Sequence, residues 1–265
     1  MRIVGLGHGL FVLAGLILAA LSIAYHDFAP IWHVVPASLP GREVWVYLVA
    51  LFLLIASVGL CIPRMALTSA LALGAYFAIC TLTRVPAVIP EPLGIGTWYG
   101  ICEPISGSIG AWILYAIWQH QPGVSKPRLA ASDRSVRVAQ VLFGLTCVFY
   151  GLSHFIYPDY TASMVPGWLP IPLGLAYFTG AGHMAGGIGI VFGILPRLAA
   201  TLEAIMMSLF GLLVWLPTFF IEPTPKWATP PLNQWNEFVI TVLLAAVAWI
   251  VAQSLRERAW GFAKR

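Results

Sequence analysis

This chain of 265 residues is 60% hydrophobic and only 9% charged, where soluble domains carry about one charged residue in four. A soluble fold with that balance would leave far too much apolar surface in water, which leaves a polytopic membrane protein as the fitting class. The formal charge of +4 does not argue for nucleic acid, because the basic residues form no stripe and fall instead on short connections between apolar runs.

A spanning helix needs about 20 mostly apolar residues. Eight runs meet that need, at approximately 8–25, 43–62, 65–83, 98–118, 137–153, 173–195, 198–219 and 235–254. The first and fifth are short and call for interfacial flanks. Residues 8–25 follow Arg2 in the manner of a leader peptide. Their counterpart, 137–153, lies in mid-chain, so 8–25 is read as the first span. The four cysteines (Cys61, Cys80, Cys102, Cys147) lie in or beside apolar runs without a C-x-x-C pair, and read as buried small hydrophobes.

The runs are punctuated twice in the same way. H-D-F-A-P…V-V-P-A-S-L-P, C-I-P-R-M-A and I-P-E-P in the first half answer H-F-I-Y-P-D-Y…M-V-P-G-W-L-P, I-L-P-R-L-A and I-E-P-T in the second. His26 thus answers His154, Pro63-Arg64 answers Pro196-Arg197, and Glu91-Pro92 answers Glu222-Pro223, at an offset that drifts only from 128 to 133. So long a period indicates two copies of a multi-helix unit rather than a short-repeat solenoid. The expected organisation is a first four-helix repeat over 1–120, a cytoplasmic linker over 121–136 and a second repeat over 137–265. An even number of spans per unit makes the repeats parallel.

With the N-terminus in the cytoplasm, Arg2, Arg64, Lys126, Arg128, Arg134, Arg137, Arg197, Arg256, Arg258, Lys264 and Arg265 fall inside, and only Arg42, Arg84 and Lys226 fall outside. That asymmetry sets both termini in the cytoplasm of a prokaryotic plasma membrane. The external loops carry Asp27, Glu43, Glu91, Asp159 and Glu222 among Trp32, Trp45, Tyr157, Tyr160, Trp168 and Trp227. Most of these aromatics suit an interfacial belt, and the repeated loops are expected to fold back as short caps.

Ionisable residues within a bilayer are costly and mark function by default. Glu203, in A-T-L-E-A-I-M-M, is the clearest case, and its counterpart is Ala70. It either handles protons or contacts a quinone headgroup, or else locks helices together through Thr201 or Ser208. His183 lies in T-G-A-G-H-M-A-G-G-I-G, where Gly182 and Gly186 at small-x-x-x-small spacing let a helix or a flat cofactor approach the backbone. It reads as an interhelical hydrogen-bonding residue, a quinone contact or, with His154, His26, His33 or His8 as the second ligand, a haem ligand. His26 and His154 close the first and fifth spans, where they suit the capping of the last carbonyls. Glu103 and Glu237 open the fourth and eighth spans, where a carboxylate suits the helix dipole. Together with His26, His154 and His183 they line one outward-facing pocket if the two halves face each other. The sequence contains no H-E-x-x-H, P-loop, dinucleotide fingerprint or C-x-x-C-H motif, and no metal is expected.

F-G-L…G-L-S-H-F at 143–155, V-P-G-W-L-P at 165–170, F-T-G-A-G-H-M-A-G-G-I-G-I at 178–190 and L-P-R-L-A-A at 195–200 resemble the DoxX/DoxD-like group of four-span membrane proteins. The resemblance implies a four-helix bundle, with quinone-linked sulfur oxidation, terminal oxidases or oxidative-stress assemblies as associated roles. Family members often have an acidic residue where His183 stands. The resulting expectation is an all-α integral membrane protein of two parallel DoxX-like bundles, acting as a redox-associated, quinone-interacting subunit. Its partners would be the lipid bilayer and either redox subunits or further copies of itself, and its active residues Glu203, His183, His154, Glu103 and Glu237. A small-molecule transporter and a non-catalytic scaffold subunit stand as the alternatives.

Overall fold

Proline, glycine and serine set the helix ends where the apolar runs stop. The computed structural model describes residues 1–28, 35–124, 129–221 and 231–261. Trp32, His33, Lys126, Arg128, Glu222, Pro223, Lys226, Trp227, Lys264 and Arg265 lie outside the described residues. The helices are α1 (Leu6–Tyr25), α2 (Arg42–Leu60), α3 (Ala66–Arg84, extended by a 3-10 turn at Val85–Val88), α4 (Ile95–Trp118), α5 (Asp133–Ile156), α6 (Pro158–Ser163), α7 (Pro172–Phe192), α8 (Pro196–Phe210) and α9 (Pro231–Ser254). Among the described residues there is no strand, and eight helices are long and apolar enough to cross a membrane. They occupy the eight expected runs.

The fifth span is not short. It begins at Asp133, inside the segment read as linker, because the Ser132 side chain accepts the Ser135 backbone N–H and caps the helix. Arg137 explains why charge there does not prevent a span. Its Nη1 and Nη2 donate to the carbonyls of Ile190 at 2.9 Å and Val191 at 2.7 Å, at the end of α7. Gly193, at φ 72°, then closes α7 in the left-handed conformation. We expect Arg137→Leu to lower unfolding stability by about 2 kcal/mol, since charge-assisted hydrogen bonds are the strong ones. The comparison is the exposed Arg134→Leu, which should change little; equal midpoints for the two would refute this role.

The last part of the seventh span is irregular. After α8 the chain winds as a π-helical turn, Gly211–Trp215, and then a 3-10 turn, Leu216–Phe219. Pro217 is the sequence cause, because it offers no N–H and its ring crowds the carbonyl four residues earlier. Single π turns gather at functional sites.

Each span packs on its neighbours in sequence: α1 on α2, α2 on α3, α3 on α4, then α5 on α7, α7 on α8 and α8 on α9. The halves join where α4 meets α5 and α9 meets α1, and α4 also packs on α9. α4 and α9 are accordingly the two most enclosed spans. One face collects the N-terminus, the α2–α3 turn, the α4–α5 connection, the start of α8 and the end of α9. There the Arg2 N–H donates to the Cys61 carbonyl at 2.7 Å, the Arg2 guanidinium to Gln121 at 2.9 Å, and Arg197 to the Arg256 carbonyl at 2.7 Å. The short α6 lies on the opposite face, where a folded-back cap was expected. All four cysteines are buried and free.

Candidate functional site

The central turns of α5, α7 and α8 bring the costly residues together. α7 turns Ala176, Gly180, His183, Gly187 and Ile190 inward, while α8 buries Ala200, Glu203, Ala204 and Met207. Where these faces meet, His183 Nδ1 and Glu203 Oε1 lie 2.7 Å apart, at 2 and 1% side-chain exposure. Glu203 therefore does not pair with Thr201 or Ser208, whose hydroxyls donate instead to the carbonyls of Arg197 and Ala204 on their own helix. A backbone acceptor four residues back is always within reach of such a hydroxyl, so neither is left for Glu203. The second carboxylate oxygen, Oε2, is buried, makes no conventional hydrogen bond to a described residue and is aimed at Gly186; the weakly donating Cys147 thiol interacts with the same carboxylate.

Three rings box the His183 imidazole: His154 at 5.3 Å, Phe210 at 5.7 Å and Tyr150 at 6.1 Å between centroids. Phe210 also stacks on His154 and is the last α-helical residue before the π turn. The Tyr150 hydroxyl shares a hydrogen bond of 3.1 Å with Ser106 on α4. His154 does not cap its own helix: its Nδ1 lies 3.1 Å from both the Ala176 carbonyl and the Thr179 hydroxyl of α7. His26, its counterpart, sits in the left-handed conformation after α1 and bonds the Tyr47 hydroxyl on α2. Each histidine thus ties its span to the next one, but only His154 meets the cavity.

That cavity has a volume of about 910 Å³ and is lined by Glu203, His183, His154, Glu103 and Glu237, and by Gly182 and Gly186. All seven candidate residues from the sequence share it. Glu103 and Glu237 are not first-turn caps, because α4 starts at Ile95 and α9 at Pro231. They sit about two turns inside the two central helices, and both interact electrostatically with Tyr99. Tyr99, Tyr150, Thr179 and Phe210 complete the polar end. No sequence signal marked them, since aromatic and hydroxyl residues are common in membrane helices.

The rest of the lining is apolar and reaches the lipid-facing surface between α7 and α8. Phe178, Ile188, Leu202, Ile205 and Leu209 line the cavity and are all exposed on the outer flank. The two cavity glycines make this groove. A Cβ on Gly182 would meet the Met206 sulfur at 3.3 Å, and one on Gly186 would meet Glu203 Oε2 at 3.3 Å. The close helix approach read from the Gly182/Gly186 spacing occurs instead at Gly180 and Gly187, which face α5. Helical phase is the reason: 180, 183 and 187 share one face, and 182, 186 and 189 another.

The pair can act as an oriented imidazole. A carboxylate on Nδ1 fixes the ring and leaves Nε2, which bonds no described residue, as the group presented to a ligand. A haem held between His154 and His183 does not fit, because the two rings touch edge to face at 5.3 Å and 69°. No group of three His, Cys, Asp or Glu side chains among the described residues is placed to hold a metal.

Residues 136–216 match the family model described as DoxX, a segment that contains His154, Gly182, His183, Gly186 and Glu203 but neither Glu103 nor Glu237. No curated protein and no solved structure matches the chain. The chain is a polytopic helical membrane protein whose residues 136–216 are similar to the DoxX family.

Proposed function

We propose that this protein is a quinone-interacting subunit of a membrane redox assembly. The observation that carries the reading is the cavity, which joins an apolar groove open to lipid at α7 and α8 with a buried His183–Glu203 pair. A quinone carries a flat, hydrogen-bonding head on an apolar chain, and pockets of this kind pair a mostly apolar lining with a few fixed polar groups. His183 Nε2 would hydrogen-bond a head oxygen, Glu203 would hold the imidazole in place, and Gly182 and Gly186 would let the ring approach the backbone. Lys and Arg are absent from the described lining, so a neutral head suits it better than an anionic one. A bound quinone supplies two-electron, two-proton chemistry; the electron partner would be another subunit, or a further copy of this chain.

In the same reading the membrane is a prokaryotic plasma membrane and the basic face lies in the cytoplasm, which the distribution of arginines supports. Tandem duplication of a four-span unit agrees with the matching neighbour order in the two halves.

Binding is tested with the purified protein in nanodiscs, using decylubiquinone and a short-chain menaquinone as probes and quenching of tryptophan fluorescence as the readout. One saturable site per chain is expected, weakened about ten-fold by His183→Phe through loss of a hydrogen bond in a dry site. Gly182→Leu, which fills the groove without touching Glu203, should weaken it as well. Binding that is non-saturable, or unchanged in both variants, sinks the reading. A transporter is the second reading, favoured by the π turn in the seventh span, since interrupted helices mark transport sites. Substrate flux in proteoliposomes without quinone binding would select it.

A further inference from the structure

The polar groups of the cavity are not spread evenly along the membrane normal. From His183 and Glu203 toward the face bearing α6, the cavity wall carries His154, Tyr150, Tyr99, Glu103 and Glu237 in turn. The contacts follow one another: His183 against His154 and Tyr150, Tyr150 against Tyr99 at 5.1 Å between rings, and Tyr99 in the field of both Glu103 and Glu237. Tyr160, on α6 itself, lies in the field of Glu237. Thr161 of α6 and Met164 and Pro166 of the adjoining loop line the cavity at that end.

Toward the basic face the wall is different. It consists of Gly189, Ile194, Leu195, Leu198 and Ala199, and the core beside it of Phe143, Ile190 and Ala200. In that direction on α5 the Cys147 thiol lies against Glu203, Thr146 donates to the Phe143 carbonyl, and Arg137 and Gln140 are committed to the carbonyls that end α7 and to Ser254. Glu203 Oε2 thus makes no conventional hydrogen bond to a described residue, and the titratable groups of the cavity wall lie on the α6 side of it while the wall on the basic side is apolar.

Asn236 adds a second, independent observation. It precedes Glu237 on α9, is 1% exposed, and neither atom of its amide bonds a described residue. Buried polar groups without protein partners are served by ordered water. The Asn236 amide, next to Glu237 in sequence though not on the cavity wall, thus calls for ordered water near the outer end of this string. Arg84, the basic side chain nearest this end of α4, packs on Gly100, where a Cβ would lie 2.7 Å from its Nη2.

We propose that the His183–Glu203 pair exchanges protons with one face of the membrane only, the face of α6, along the string through Tyr150, His154, Tyr99, Glu103 and Glu237. Neutral tyrosine and imidazole relay a proton by accepting at one atom and donating from another, so the positive charge passes from one polar group to the next and no free ion enters the hydrocarbon. The route does not depend on the occupant of the cavity, and a failure of quinone binding leaves it standing.

The test uses the wild-type chain in sealed proteoliposomes. A water-soluble carbodiimide with glycinamide as the trapping amine is added from one side, and modified carboxyl groups are located by peptide mass spectrometry. Asp159 is exposed on the α6 face, while Asp133 and Glu257 are exposed on the basic face, so each digest reports its own sidedness. The expected result is that Glu103 and Glu237 gain label in step with Asp159 and lose it when only Asp133 and Glu257 are reached. Equal labelling from both faces, labelling only with Asp133 and Glu257, or no labelling from either face overturns the proposal.

Discussion

Replacing one member of the buried pair, as His183→Leu or Glu203→Leu, is expected to cost about 3 kcal/mol of unfolding free energy, the range in which the penalties for orphaned buried polar groups and broken buried ion pairs meet. The two side chains are 2 and 1% exposed and 2.7 Å apart. Whichever of them holds the shared proton, the survivor keeps its need for a partner in a buried setting. The neighbouring Cys147 thiol is too weak a donor to replace imidazole. Removing both groups removes the need, so the double variant His183→Leu/Glu203→Leu should be less destabilised than either single one. Glu203→Gln keeps an acceptor for the imidazole N–H and should cost about 1 kcal/mol. Reversible denaturant unfolding in detergent micelles, followed by helicity, reads all four. Additive single effects would show that the two groups do not depend on each other, and would remove the structural ground for an oriented imidazole.

The sequence displayed the spans and the costly residues but not the relations between them. Every span had to satisfy its backbone internally, which forces about 20 apolar residues in a row and makes eight such runs visible. The fifth span escaped full recognition because Asp133 and Arg134 read as loop, while the actual helix start depends on Ser132 and on a contact from Arg137 to the end of α7. His183 and Glu203 were each conspicuous, since charge and imidazole are rare at that depth. Their union is a matter of rotational phase across two helices 20 residues apart in sequence, which no local pattern encodes. Glu103 and Glu237 read as helix caps because the apolar runs begin at about 98 and 235, which puts both carboxylates near the start of a span. The helices start earlier, which moves both carboxylates inside and onto the cavity. The π turn had a visible cause in Pro217, but a proline near a span's end is common enough to pass as a terminator.

The glycines of α7 divide by face, and their substitutions should divide with them. Gly187→Ala is expected to lower unfolding stability by about 3 kcal/mol, at the upper end of the usual cost of overpacking, and Gly187→Leu should yield no folded protein. A Cβ on Gly187 would stand 2.4 Å from the Gly144 carbonyl oxygen, and one on Gly144 would stand 2.8 Å from the Gly187 oxygen. Two turns away, a Cβ on Gly151 would be 2.5 Å from the Gly180 oxygen. α5 and α7 therefore touch backbone to backbone at two places one heptad apart, and a methyl group there meets peptide rather than a side chain that can swing aside. Gly182→Ala meets only the far end of Met206 and should change stability little. Thermal unfolding in detergent, with size-exclusion chromatography to count folded protein, separates the cases; equal midpoints for Gly187→Ala and Gly182→Ala would refute the contact. The effect should reach the site as well. His183 lies between Gly180 and Gly187 on the same face, so a methyl that pushes α7 from α5 also shifts the imidazole against Tyr150, His154 and Glu203. Gly187→Ala should then weaken binding in the cavity even in the protein that remains folded, which ties the helix contact to the geometry of the pair.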